Sequence, residues 1–296
     1  MNCKHVSVFH GKGVVSLCAA LVVSGMLLAP GIGMATPSPV TLNDGGSSAT
    51  VDLTSSAGMY NWSVGGQNQL NQQWFWYAIG SAAPQSIDSI GLVSYSTPNP
   101  AEVTALYQNS QLSLTIDYVL SGGGVGSGSA DITESITVKN TSGGSIDFHF
   151  YQYSDFNLLG DGSADSVQLF GVPGSWNFVE QTAGLSGIGE AIVAPDANHG
   201  EAAYIGTTLG ELNGLSALTL NDHPSAGPGD VTWALEWDPT IANGAMFDLS
   251  KDKSLFIQVV PEPSGLLAAI GISMLALRRR VGRCERRAAA MSGGTH

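Results

Sequence analysis

An all-β fold is what this sequence predicts: an antiparallel β-sandwich ectodomain, preceded by a signal helix and followed by one short transmembrane helix. Three observations predict it. Apolar and polar residues alternate with period two through residues 36–260, the mark of strands buried on one face. Turn-forming residues break the alternation at short intervals, the chain having 38 glycines and 13 prolines among 296 residues. No segment of that region has an apolar stripe of helical period longer than about three turns.

The first element is a leader. Lys4 and Lys12 precede an apolar run over residues 14–29, and Gly33-Met34-Ala35 supplies small residues before Thr36. Basic start, apolar middle and small-residue exit make a secretory signal over residues 1–35, with cleavage between Ala35 and Thr36.

Residues 36–260 are the ectodomain. Leu112, Leu114, Ile116, Tyr118 and Leu120 alternate with polar residues, as do Ile132, Ile136 and Val138. The Gly/Ser-rich stretch 121–129 joins them, and the turn 140–145 leads into a third strand over 146–154, which predicts a three-stranded meander. Later, Val231, Trp233, Leu235 and Trp237 share a face, and the chain turns over 239–244 and returns through Leu255 and Ile257.

The last element is a tail. Pro261-Glu262-Pro263 ends the preceding strand, residues 264–277 are almost wholly apolar, and Arg278-Arg279-Arg280 follows. Such a helix measures about 21 Å, short for a membrane span, and the arginines hold its end on the cytoplasmic side. In this order the three parts resemble the PEP-CTERM sorting signal of Gram-negative bacteria, also catalogued as the C-terminal domain of ice-binding-type proteins. The resemblance covers residues 261–280 and concerns destination alone. It implies transient residence in the inner membrane and removal of the tail by an exosortase. It also implies association of the released protein with exopolysaccharide and the biofilm matrix at the cell surface. The chain departs from the pattern by running on through a basic cytoplasmic extension, residues 281–296. Ice binding predicts a regular Thr ladder, and the ectodomain has no such repeat.

Charge narrows the function classes. The net charge of −13 blends basic ends with a strongly acidic middle. Of 24 carboxylates only Glu262 and Glu285 lie outside residues 36–260, where Lys139, Lys251 and Lys253 are the only bases. Such a body repels phosphate, which excludes a nucleic-acid partner. Cys3, Cys18 and Cys284 all fall outside it, so it uses neither a thiol nucleophile nor thiolate metal ligands.

Two groups of aromatic residues are candidate ligand platforms. In a strand, Trp74 and Trp76 point one way while Phe75 and Tyr77 point the other. His149, Tyr151 and Tyr153 likewise share the face opposite Phe148 and Phe150. Either set can stack on sugar rings if exposed, or fill a core if both faces are covered. An oxygen-rich loop with Asp155, Asn157, Asp161 and Asp165 is a candidate calcium site or a solvated turn, and its spacing is not that of an EF-hand. There is no Gly-x-Ser-x-Gly elbow, no His-Glu-x-x-His pair and no phosphate loop, so no catalytic residue and no cofactor are predicted. Carboxylate pairs such as Glu134 and Asp155 could serve glycoside hydrolysis, but so acidic a chain offers pairs by chance.

The expectation is therefore an exported, non-catalytic extracellular protein, not an enzyme. The alternative is a carbohydrate-binding or carbohydrate-active module.

Overall fold

The computed structural model describes residues 39–258, all within one compact unit. The signal, with Ala35 and Thr36, and the sorting motif, with Pro261, Glu262, Pro263 and Arg278 to Arg280, lie outside the described residues. Among the described residues no helix is long and apolar enough to cross a membrane.

The fold is all-β, with two large sheets. The first has ten strands, in the order Val40–Asp44, Ser47–Asp52, Gly58–Val64, Leu70–Ile79, Ile146–Phe156, Val231–Trp237 and His199–Tyr204, with three two-residue strands beside this path. The second has nine: Ser225–Gly229, Asp165–Val172, Ser175–Ala183, Ser186–Ala194, Met246–Phe256, Ser129–Asn140, Leu112–Gly122, Glu102–Gln108 and Leu92–Ser96. Pairing is antiparallel except for a short parallel contact between Gly58–Val64 and Leu70–Ile79.

Two expected connections are corrected. Leu112–Gly122 and Ser129–Asn140 do form a hairpin, but Ile146–Phe156 pairs with Leu70–Ile79 and Val231–Trp237 in the other sheet. The turn after Asn140 carries the chain across the sandwich, so the meander runs backward from this hairpin, through Glu102–Gln108 and Leu92–Ser96, and not forward into Ile146–Phe156. Val231–Trp237 and Met246–Phe256 likewise belong to different sheets. Alternation shows which residues share a face, but a strand in either sheet buries that face equally well.

The space between the sheets is lined by aromatic residues around a charged centre. Phe75 stacks on Phe150 with centroids 5.3 Å apart, and Phe156 on Trp233 at 6.3 Å. Facing them are Glu134, Glu190, Lys251 and Lys253, all without exposed surface. Lys251 Nζ donates to Glu134 Oε2 at 2.6 Å and lies 4.7 Å from the centre of the Phe75 ring. Lys253 Nζ lies 2.6 Å from Glu134 Oε1 and 3.3 Å from Glu190 Oε2. The quartet is neutral as a whole, which is how four charges tolerate burial. Burial opposes ionisation of Glu134, and the two lysines outweigh it, holding the carboxyl below its ordinary value.

Alternation sends Trp74, Trp76, Tyr151, Tyr153 and Glu236 to the other face of the first sheet, away from this centre. That face is also covered. A segment containing the short helix Thr207–Leu212 lies over it, with Tyr151 donating to Leu218 O at 2.8 Å and Trp76 Nε1 to Asn213 Oδ1 at 3.3 Å.

Candidate functional site

The covering segment ends beside a cluster of acids and imidazoles. His149 stands two residues before Tyr151 on Ile146–Phe156 and shares its face. Tyr151 pairs with Glu236 of the next strand, and Glu236 with His199 of the edge strand. The register thus sets side chains from three adjacent strands side by side. Asp238 follows the middle strand, and Asp222 arrives on the covering segment.

The distances define a chain of alternating acid and imidazole. Asp222 Oδ2 lies 2.9 Å from His199 Nδ1, His199 Nε2 lies 3.8 Å from Asp238 Oδ2, and Asp238 Oδ1 lies 2.5 Å from His149 Nδ1. Glu236 Oε1 sits 3.7 Å from the same His149 nitrogen, while its Oε2 accepts the Leu220 N–H at 2.7 Å. Glu236 is fully buried, whereas the side chains of His149, Asp238 and His199 keep 20%, 23% and 30% of their surface exposed. With Asp222 at 21%, the cluster therefore has one hidden acid and four groups partly open to a ligand.

Environment separates the carboxyls. Burial pushes Glu236 up to about 8; the Leu220 N–H opposes the shift and the negative charge of Asp238 adds to it. At neutral pH Glu236 holds its proton. Burial also acts on Asp222, but hydrogen bonds from His199, Trp176 and the Gly200 N–H outweigh it and hold this carboxyl below its ordinary value. A protonated acid beside an imidazole that is itself bound to a carboxyl group is the arrangement that acid–base proton transfer requires.

Donor atoms of His149, Glu236 and Asp238 lie within 4.8 Å of one another, a set that could hold a divalent metal. Two donors on one zinc stand about 3.3 Å apart at tetrahedral angles. The 2.5 Å contact of His149 with Asp238 is shorter, so the cluster as it stands is a hydrogen-bonded acid–base group.

The same edge strand lines a cleft. Glu201, two residues after His199 on the same face, borders a cleft of about 650 Å³ together with Glu180, Tyr204, Asn221 and His223. Asn221 adjoins Asp222, so the cleft and the cluster flank one segment.

The candidate platform is corrected by burial. Trp74, Tyr151 and Tyr153 have no exposed surface and Trp76 has 1%, so among the platform residues only His149 reaches solvent. Both sides of the sheet are covered, one by the second sheet and one by the segment over it. Glu134 is tied to two lysines in the core and is no partner for Asp155. Of the oxygen-rich loop, Asp155 and Asp165 are buried, while Asp161 is exposed and accepts the Ser163 N–H. Glu236, Asp238 and Asp222 were not singled out in the sequence. Glu236 falls at a polar position of an alternating strand, where a carboxylate ordinarily faces water.

No protein-family model and no curated protein matches the sequence. Among solved structures, a bacterial glucoamylase complexed with acarbose superimposes with a TM-score of 0.51 at 9% identity, covering 74% of this chain and 32% of that one. This chain thus spans about a third of the glucoamylase. A galactose mutarotase-like protein from Lactobacillus casei gives 0.47 at 11% identity, covering 74% of this chain and 100% of that one. A GalM/aldose epimerase homologue from C. elegans gives 0.46 at 7% identity, covering 76% and 99%. The glucoamylase likeness shows a shared fold. It corrects the expectation of a non-catalytic matrix protein that is not an enzyme: a carbohydrate-active enzyme contains this architecture, and the alternative reading is the better supported one.

Proposed function

We propose that this is an exported carbohydrate-active protein in which Glu236, His149 and Asp238 transfer protons to and from a saccharide. One observation carries the reading: a buried, protonated Glu236 carboxyl stands 3.7 Å from an imidazole that is itself bound to a carboxylate. In this scheme Glu236, which has no exposed surface, is a proton reservoir that meets the saccharide only through His149. His149 is the base, oriented by Asp238, and His199 is held by Asp222 on the far side of Asp238. The reaction class is proton transfer at a sugar hydroxyl, ring oxygen or glycosidic oxygen. The neighbouring cleft of about 650 Å³ falls within the range of small-ligand pockets, about 300–1,000 Å³.

Export and sorting belong to the same proposal. The leader with its Ala35-Thr36 junction and the Pro261-Glu262-Pro263 tail support secretion, transient residence in the inner membrane and release by an exosortase. The exopolysaccharide of the cell surface is then the polysaccharide within reach.

The test is turnover. The purified chain is incubated with reducing sugars and with polysaccharides, following interconversion of anomers by polarimetry and new reducing ends by colour assay. Activity that falls by about a hundredfold or more in Glu236→Gln and in His149→Ala, the usual scale for losing a general acid or base, supports the reading. Activity unchanged in both variants, or none on any saccharide, overturns it.

A further inference from the structure

The outward side of the second sheet has a polar row that crosses six of its strands, from Ser225–Gly229 to Ser129–Asn140. Residues directly opposite one another on neighbouring strands share a face. The register sets Ser225 beside Gln168, Gln168 beside Glu180, Glu180 beside Gly189, Gly189 beside Ser254 and Ser254 beside Asp131. Their sequence neighbours Leu169, Val179, Ile188 and Leu255 are buried, so the row itself faces outward. At about 4.8 Å between strands it measures about 24 Å, far longer than one sugar ring. Its middle is a trough, because Gly189 contributes no side chain.

Aromatic rings border this row on both sides. Phe170 and Phe178 face each other across two strands on one side, 43% and 36% exposed, with ring centroids 5.7 Å apart and planes inclined at 47°. The Phe178 ring leans over the trough, since a Cβ at Gly189 would lie 3.0 Å from Phe178 Cζ. On the other side Phe256, opposite Gly187, is exposed, as is Leu185. Single exposed apolar side chains are ordinary on a protein surface. Rings set along both edges of a polar trough are the arrangement of a ligand groove.

The trough is continuous with the cleft beside the acid–imidazole cluster. Gln168, Glu180 and Thr182 line that cleft, and Glu180 and Thr182 also line a second recess of about 340 Å³ together with Gly189, Ser254 and Phe256. Charge narrows what can lie there. Among the described residues no lysine or arginine lines either recess. Carboxylates accept from sugar hydroxyls, and hydrogen bonds to an ionised acceptor are the stronger kind. The same carboxylates repel a ligand that carries uronate or sulfate groups.

We infer that this face binds a strand of neutral polysaccharide, laid from the cleft across Glu180 and Gly189 toward Phe256, with Phe170 and Phe178 stacked on its sugar rings. The inference rests on the carbohydrate reading above and adds its substrate class, an uncharged polymer and not a free monosaccharide or an acidic polysaccharide. The C–H faces of the sugars pack on the aromatic rings, while hydroxyls at their edges meet Gln168, Glu180 and Ser254. The exposed phenylalanines thus take the part that the buried Trp74 and Trp76 cannot play.

The test is affinity electrophoresis of the full-length chain in gels that contain a neutral glucan, mannan or galactan, or the polyuronate alginate. Expected is retardation by at least one neutral polymer and none by alginate. The double variant Phe170→Ser with Phe178→Ser should weaken that affinity by about tenfold or more. Gly189→Val keeps both rings but fills the trough, and should weaken it as well. Tyr95→Ser removes an exposed ring on the far edge strand Leu92–Ser96 and should leave it unchanged. No retardation by any neutral polymer overturns the inference, as does retardation by alginate, or wild-type affinity in both the double variant and Gly189→Val. Turnover is read separately. A chain that turns over sugars but is retarded by no polymer sinks this inference alone, and retardation without turnover sinks the catalytic reading alone.

Discussion

Lys251 and Glu134 meet at 2.6 Å with no exposed surface on either, in register on adjacent strands of the second sheet. This pair, doubled by Lys253 and Glu190, sits where a sandwich would ordinarily place leucines. Its charge balance makes each member depend on the others.

Removing one member therefore costs more than removing two. Lys251→Met leaves the Glu134–Glu190 side with one excess buried charge, and the expected loss is about 3–5 kcal/mol. The double variant Lys251→Met with Glu134→Leu restores neutrality around the remaining Lys253–Glu190 pair and is expected to recover most of that loss. Urea unfolding of the two single variants and the double variant measures the coupling. Additive losses would show that the four groups do not act as a unit.

Glu236 makes a prediction in pH. Its value in the fold is about 8 against an ordinary 4.5, so over that interval the folded chain keeps a proton that the unfolded chain releases. The contribution to stability is complete below about 4.5, declines as pH rises and is gone above about 8. Thermal melts from acid to alkaline pH should show this decline in the wild type and lose it in Glu236→Gln, whose amide does not titrate. Turnover should fall on the same alkaline side as Glu236 loses the proton it shares with the cluster. A melting profile identical in the two proteins would mean that Glu236 is ionised throughout.

The faces of the sheets were legible from alternation, whereas their depth was not. Period two correctly sets His149, Tyr151 and Tyr153 opposite Phe148 and Phe150. Their burial depends on residues that form the covering segment, where one six-residue helix, Thr207–Leu212, gives no periodic signal. The charged quartet did leave a trace, since Glu134 interrupts the apolar series Ile132, Ile136, Val138, and Lys251 and Lys253 fall on the parity of Leu249 and Leu255. A charge on an apolar parity reads as an exception until its partners from other strands are known. Asp222, His199, Asp238 and His149 come from separate elements up to 89 residues apart, and only tertiary structure joins them.

Gly58 tests how tightly the parallel contact in the first sheet is built. It stands at φ +59°, and a Cβ there would lie 2.4 Å from Gln73 O and 2.5 Å from Trp74 Cε3. The backbone conformation and the close approach of Leu70–Ile79 both call for glycine, since neither a carbonyl nor a buried indole can withdraw cheaply. Gly58→Ala is expected to cost about 2–4 kcal/mol, combining left-handed strain with overpacking. Gly66 separates the two contributions, because at φ +82° it has nothing within 4 Å of its Cβ position. Gly66→Ala should then cost only the strain, about 1 kcal/mol. Chemical denaturation of both variants measures the difference, and equal losses would show that the indole of Trp74 moves aside without penalty.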